Sequence, residues 1–304
     1  MVEYLTIKDL NTGTAKHFDV DGDVDYLLYE GCIDWGNVSV THNTFQFPQQ
    51  IGMYISNTVL GSRDIAINGW IIGDTLEEIN GKKMALSLFI NPLHEYHIDV
   101  DRYFIGCKPT SNVTFGKEYN ENNEVCVKFL LQFTCAYPLF LLNNAINVDI
   151  AGDFGAFHFP LTIPKNNGII MGYRKQSMFT EMVNNGSIDV GMLITITANG
   201  IVDNPELINV NTKERLKINK ILEPGEKVII NTNVGERSVI GIKDHTKYNY
   251  LRYLDYDSTW LQLVNGQSLF TYKTYDNEGN EDETYKRMEI MVSYQTALFN
   301  LEEE

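Results

Sequence analysis

The chain has 304 residues, with Lys+Arg 24 against Asp+Glu 40 and a formal net charge of −16. Hydrophobic residues at 43% and charged residues at 21% are enough for a packed core and exclude wholesale disorder. The acidity is shared, net −10 over residues 1–150 and −6 over the rest, so no basic footprint exists for gripping nucleic acid by phosphate neutralisation.

Isoleucine outnumbers alanine 29 to 9, which favours strands over helices, and 30 asparagines with 23 glycines supply turns. The expectation is a mainly β chain. Met1 to Ile7 has neither the basic nor the apolar region of a signal peptide, which predicts synthesis in the cytoplasm. The uncharged stretch Phe129 to Val148 is broken by Gln132, Pro138, Asn143, Asn144 and Asn147. It reads as a buried strand and a turn, not as a membrane span of about 20 apolar residues.

In chain order, Lys16–Val20, Asn37–Thr41 and Ile51–Ser56 read as strands. Asp64 to Ile72 alternates polar and apolar residues, with Ile65, Ile67 and Gly69 on one face. Thr75-Leu76-Glu77-Glu78 then forms a capping box, in which Thr75 accepts from the N3 amide and Glu78 reaches back. The spacing of Ile79, Leu86 and Ile90 predicts an amphipathic helix, with Lys82 and Lys83 towards solvent. Asn91-Pro92 ends it, because the residue before proline is pushed out of the α region. Strands follow over Tyr96–Val100, Tyr103–Lys108 and Val125–Ala136.

Tyr137-Pro138 and the asparagines after it make residues 138–155 a boundary between units of about 140 and 160 residues, 1–140 and 141–304. In the second unit Gly191–Ala198, Leu207–Val210, Leu216–Ile218, Lys227–Asn231 and Ser238–Ile242 read as strands. Two more, Ser268–Tyr275 and Met288–Tyr294, flank an acidic loop. Short strands at regular spacing predict a β-sandwich.

Catalytic and metal patterns are thin. His94 and His97 are three apart, not four, and lie past the proline that ends the helix, which argues against a zinc motif. Asp19, Asp21, Asp23 and Glu30 occupy positions 1, 3, 5 and 12 of a calcium loop, but Val24 stands where that loop needs glycine. An acidic turn is the alternative. No nucleophile elbow, phosphate loop or dinucleotide fingerprint occurs, and Asp255 and Asp257 read as a solvated loop. The cysteines Cys32, Cys107, Cys126 and Cys135 lack C-x-x-C pairing and read as buried thiols. No cofactor is expected, and the chain reads as no enzyme. Tyrosines 248, 250, 253 and 256 with Trp260 form a cluster that fits core packing, or saccharide binding through Tyr256 and Trp260.

Gly61-Ser62-Arg63-Asp64-Ile65-Ala66-Ile67-Asn68-Gly69, the capped helix ending in Leu88-Phe89-Ile90-Asn91-Pro92, and Phe133-Thr134-Cys135-Ala136-Tyr137-Pro138 resemble the N-terminal half of phage distal tail proteins. Asn184-Asn185-Gly186-Ser187, Asn209-Val210-Asn211-Thr212, Glu223-Pro224-Gly225-Glu226, Ile230-Asn231-Thr232 and Ser258-Thr259-Trp260 resemble their second half. Leu263-Val264-Asn265-Gly266 departs from it, lacking a proline before the glycine.

The resemblance implies a structural virion protein with two β-sandwich-like domains, the first with one packed helix and the second galectin-like. Gly61, Arg63, Gly69, Asn91, Pro92, Tyr137 and Pro138 would be structural motif residues. It implies a homohexameric ring joining the tail tube to the tail tip or baseplate, with a tail-associated hub protein and receptor-binding proteins as further partners. An acidic or neutral channel would let DNA pass unbound. The alternatives are a carbohydrate- or receptor-binding module acting through the second sandwich, and a hydrolase of the host wall.

Overall fold

In a computed structural model, the described residues are 4–20, 25–29, 31–49, 51–118, 121–122, 125–151, 153–155, 172–174 and 179–301. They are mainly strand, with one α-helix. The chain divides into two compact units, Met1–Asn143 with Leu298–Glu304, and Asn144–Ala297.

The first unit contains β1 (Tyr4–Asp9), β2 (Ala15–Asp19), β3 (Tyr26–Leu27), β4 (Ile33–Asp34), β5 (Val40–Phe45), β6 (Tyr54–Leu60) and β7 (Arg63–Ile72). After α1 (Leu76–Phe89) come β8 (Tyr96–Val100), β9 (Tyr103–Pro109), β10 (Thr114–Phe115), β11 (Cys126–Cys135) and β12 (Phe140–Leu142). The main sheet runs β10-β11-β7-β3-β2-β1-β8-β9-β12, and β9 also pairs with β11, so the sheet closes on itself. Closure removes most free strand edges. Leu5, Ile7, Phe18, Ile65, Ile67, Tyr96, Ile98, Ile105, Phe129 and Phe133 fill the interior, each essentially without exposure.

Gly69 is needed inside β7 because the core is packed against its backbone. A Cβ there would lie 2.4 Å from Phe129 Cζ and 2.8 Å from the Leu27 carbonyl oxygen. Phe129, its cross-strand partner, is held by Phe18 at 5.8 Å and Tyr26 at 6.2 Å between ring centroids.

Helix α1 starts where the capping residues place it. The Glu78 N–H donates to Thr75 Oγ1 at 3.2 Å, and Glu78 Oε2 accepts from the Asp74 N–H at 3.0 Å, one residue before the cap amide that the sequence pattern points to. Ile79, Leu86 and Phe89 face the core. The expectation that Lys82 and Lys83 face solvent needs correcting. Lys82 pairs with Glu78 at 2.7 Å and Asp25 at 3.2 Å and donates to the Ile72 carbonyl, while Lys83 lies over the Phe115 ring at 5.1 Å. Long cationic side chains lay their stems on apolar surface and still reach polar partners.

The helix exit is tied down by a buried polar knot. Buried Tyr96 donates its hydroxyl to the Phe89 carbonyl at 2.6 Å and accepts the Asn91 N–H at 2.8 Å, satisfying the C-terminal turn. Asn91 Oδ1 accepts the Leu93 N–H, which sets the Asn91-Pro92 turn. His94 Nδ1 meets Asp9 Oδ2 at 2.8 Å, and Asp9 Oδ1 accepts from the Asn11 and Thr12 N–H groups. Burial pushes the Asp9 pKa up, but the hydrogen bonds from His94, Asn11 and Thr12 outweigh it and hold the group below the ordinary value.

The second unit contains β13 (Ile146–Ala151), β14 (Asp153–Gly155), β15 (Gly172–Arg174), β16 (Phe179–Asn184), β17 (Leu193–Ala198), β18 (Glu206–Asn209) and β19 (Arg215–Lys217). These are followed by β20 (Lys227–Asn231), β21 (Ser238–Lys243), β22 (Thr246–Asn249), β23 (Gly266–Lys273) and β24 (Met288–Tyr294). A six-stranded sheet, β13-β24-β17-β20-β21-β22, and a four-stranded sheet, β16-β23-β18-β19, each bury alternate residues, such as Ile194, Ile230 and Val292 on one and Leu207 and Phe270 on the other. The stretch 138–155, expected as a connection, is largely strand (β12, β13 and β14). Asn143 and Asn144 lie in the bend between β12 and β13, where the two units divide, while Asn147 falls on an exposed position of β13.

The short motifs of this unit satisfy loop backbone. Asn184 Nδ2 donates to the Ile188 and Leu263 carbonyls, and its Oδ1 accepts the Gly186 N–H. Buried Asn209 accepts from the Asn211 and Thr212 N–H groups. Buried Glu226 accepts from Lys220 Nζ at 2.7 Å, Tyr250 Oη at 2.6 Å and the Glu223 N–H at 3.0 Å, so its charge is compensated.

Two measurements test this packing. Gly69→Ala should destabilise the first unit by about 1–3 kcal/mol, read as a lower Tm. Adding Phe129→Leu should recover part of the loss, and an unchanged Tm in Gly69→Ala contradicts the close contact. Asp9 releases its proton at lower pH folded than unfolded, where its pKa is about 3.9. Its contribution is therefore complete above that value and lost as pH falls through the lower folded one. Asp9→Asn should lower stability at pH 7 by about 1–3 kcal/mol and flatten the acid limb of the stability–pH curve. An acid limb identical to that of the parent contradicts the knot.

Candidate assembly surface

Between Asp34 and Arg63 the chain carries no Asp, Glu, Lys or Arg for 28 residues, 35–62, its longest such run. Strands β5 and β6 lie in this run and pair only with each other, from Val40↔Leu60 to Phe45↔Tyr54, with a register irregularity at Asn43/Thr44. Every residue of both strands is exposed. At its far end Phe45 packs on Phe47 and Tyr54, with ring centroids 5.2 and 4.9 Å apart, while Ile51, Met53 and Ile55 stand in solvent.

The root of this arm is rigid. The Ser39 N–H and hydroxyl both donate to the Ser62 carbonyl, at 3.1 and 2.9 Å, and the Gly61 N–H donates to the Ser39 carbonyl at 2.7 Å. A Cβ on Gly61 would sit 2.3 Å from Ser39 Oγ, so a larger residue there would turn that hydroxyl away from the Ser62 carbonyl.

An isolated two-stranded ribbon is at best marginally stable in water. This one also exposes Val40, Phe45, Phe47, Ile51, Met53, Tyr54, Ile55, Val59 and Leu60. Covering each such side chain contributes about 1 kcal/mol or more, so the arm is built to be covered. Helix α1 adds a second uncovered apolar surface. Met84 and Leu88 lie on the side away from Ile79 and Leu86, Leu76 is exposed at the helix start, and Leu93 follows the helix, 85% exposed. Contiguous exposed apolar surface of this kind marks an interaction site.

The residues singled out in the sequence fall in several places. Gly61 closes the arm's root and Gly69 lies in the core of the first unit. Arg63 is buried at the start of β7, its guanidinium 5.0 Å from the Phe140 ring centroid and donating to the Phe299 carbonyl, which holds the returning end of the chain. Asn91 and Pro92 form the helix exit. Tyr137 is half-exposed, and Pro138 is buried ahead of β12. Asp19 is described; Asp21, Asp23 and Glu30 lie outside the described residues, and among the described ones no cluster of three metal-ligating side chains occurs.

His94 is engaged by Asp9, while His97 stacks on Phe104 at 4.5 Å, so the two rings serve different contacts. Asp255 accepts from Asn219 and Asp257 lies 3.4 Å from Arg215. The four cysteines form no disulfide, with Cys126 partly exposed and the other three buried. Tyr256 is fully exposed, and the half-buried Trp260 carries the Arg237 guanidinium 5.7 Å above its ring. Alternation does not mark the arm, because neither β5 nor β6 has a buried face. Its signal in the sequence was the long absence of charge.

No helix among the described residues is long and apolar enough to cross a membrane. Two family models match the chain: a phage tail protein RIFT-related domain over residues 30–135, and the C-terminal domain of a siphovirus-type tail component over residues 185–287. Together they span more than two thirds of the sequence. No curated protein matches significantly. Among solved structures, the SPP1 Dit (gp 19.1) protein, described as a paradigm of the hub adsorption apparatus in phages infecting Gram-positive bacteria, aligns with a TM-score of 0.63 and 13% identity. The alignment covers 96% of this chain and 98% of that one. Chains of the phage P2 baseplate in its activated conformation, with Ca and with Sr, align at TM-scores of 0.44 and 0.43 with 13% and 12% identity, over 96% of this chain and 97% of theirs. The SPP1 likeness establishes a shared fold; the weaker two add nothing to it. With one family model in each unit, the chain is built from the domains of siphovirus-type phage tail proteins and is a structural component of a phage tail.

Proposed function

We propose that six copies of this chain close a ring that joins the tail tube to the tail tip or baseplate and leaves an axial channel for DNA. The observation that carries this reading is the uncharged arm of residues 35–62, whose two strands are exposed on both faces. A neighbouring copy is its natural cover, because the exposed face of α1 is apolar too and every copy offers both surfaces. A contact between different patches on successive copies produces rings when the rotation closes. The tail tube protein, a tail-associated hub protein and receptor-binding proteins are the partners on either side. A net charge of −16 per chain lets DNA pass the channel without a salt-dependent grip.

The test is the mass and shape of the particle in solution. Native mass spectrometry and negative-stain imaging should find six-membered rings, alone or on addition of the tail tube protein. The variant Phe45→Ser/Phe47→Ser/Ile55→Ser should stay monomeric with a nearly unchanged Tm, since substitution of exposed residues shifts stability by about 0.5 kcal/mol or less each. A wild-type chain that remains monomeric with its tail partners present, or a variant that still forms rings, contradicts the reading.

A further inference from the structure

Two of the four cysteines meet where the sheet of the first unit closes on itself. β9 and β11 pair antiparallel, with Pro109 opposite Phe133 and Lys108 opposite Thr134, so the next residues along, Cys107 and Cys135, face each other. Both lie in the buried core, Cys107 6% exposed and Cys135 not at all, so both side chains point to the interior. The Thr110 N–H donates to the Gln132 carbonyl at 2.9 Å, which makes Thr110 and Gln132 a hydrogen-bonded pair of the ladder. Bonded and non-bonded pairs alternate along an antiparallel ladder, so three steps on Cys107 and Cys135 form a non-bonded pair. Such pairs bring their Cα atoms to about 4.5 Å, within the span of about 4.4–6.8 Å that a disulfide bridges. The two thiols are in hydrogen-bond contact, and burial together with this neighbour pushes the Cys107 pKa well above the ordinary thiol value.

The other thiols are placed elsewhere. Cys126 begins β11, nine residues and about 30 Å of strand from Cys135. Cys32 bonds through its carbonyl to the Asn68 N–H, and Asn68 lies opposite Leu130, five residues from Cys135. On the far side of Cys135 from β9 stands Arg63, its cross-strand partner in β7. Arg63 is 1% exposed, and its Nε and Nη1 have no hydrogen-bond partner among the described residues. Burial lowers the Arg63 pKa, and its interaction with Cys135 opposes that shift. A buried guanidinium with free donors beside one thiol of a facing pair supplies the charge that a thiolate needs.

We infer that Cys107 and Cys135 form a disulfide once the chain has left a reducing compartment, closing the first unit's sheet covalently between β9 and β11. A small peroxide is the oxidant. The Cys107 sulfur, the more exposed of the two, attacks a peroxide oxygen; the O–O bond breaks and the departing hydroxide takes the thiol proton as water. The Cys135 sulfur, a thiolate beside Arg63, then attacks the sulfenic sulfur of Cys107. The S–S bond forms, the S–O bond breaks, and the second hydroxide takes the proton that Cys135 gave up. Two thiols lose two electrons, and one hydrogen peroxide becomes two waters. Thiols stay reduced in the cytoplasm, whereas virion surfaces are oxidising, and this chain is a tail component. The bond needs no neighbouring copy, so this inference and ring closure fail separately.

The test is alkylation and peptide mapping of the purified chain, before and after hydrogen peroxide, and of intact tails collected without reductant. The reduced chain should be alkylated at all four cysteines after unfolding. The treated chain and the tails should be alkylated at Cys32 and Cys126 alone, and should yield a linked Cys107–Cys135 peptide that dithiothreitol separates. Oxidation should raise the Tm of the purified chain by roughly 5–10 °C, reversibly. Cys126→Ala should keep that rise and Cys135→Ala should abolish it. The inference is overturned if Cys107 and Cys135 stay open to alkylation in the tails or after peroxide, or if Cys135 links to another cysteine. It is equally overturned if the linked chain melts no higher than the reduced one.

Discussion

The architecture is governed by apolar surface that one copy of the chain cannot cover. A closed sheet buries the first unit's core, so the interior is complete without help. Yet the same unit extends a 28-residue segment with no charged side chain, residues 35–62. An uncharged ribbon with two open edges is an aggregation hazard in a lone protein. In a protein that assembles, the same ribbon stores association free energy until neighbours arrive.

Rigidity at the root makes that surface usable. The arm leaves the fold between Ser39 and Gly61, whose backbones are bonded at 2.7 Å, and β7 begins two residues later. β7 is pinned to β11 across ten residue pairs, and the contact between Gly69 and Phe129 locks that register against the aromatic core. At the far end of β7, Lys82 ties α1 to the Ile72 carbonyl. The helix exit is then knotted to the β1–β2 turn through Asp9 and His94. A short run of polar contacts thus fixes the arm and the exposed helix face to one rigid body, which association with a repeated partner requires.

Local chemistry was legible in the sequence and long-range pairing was not. The helix was readable because Thr75, Glu78 and Pro92 act within one turn of its ends. Tyr96–Val100, Lys227–Asn231 and Met288–Tyr294 were readable because one face is buried and the other is not. β13 was hidden because Asn147 and Asp149, which resemble turn residues, sit on exposed strand positions. The arm escaped notice as a surface because alternation identifies strands with one buried face, and β5 and β6 have none. Closure of the sheet through β9 and β11 depends on which strands become neighbours. Nothing in the spacing of residues along the chain announces it.

The central claim is that residues 40–60 are bare in the isolated chain and covered in the particle. Hydrogen–deuterium exchange of the arm, compared between the purified chain and intact tails, tests it most directly. The account predicts rapid exchange across β5 and β6 in the free chain and strong protection in the tail, with the β7–β11 core protected in both. Equal, rapid exchange of the arm in both states would contradict it.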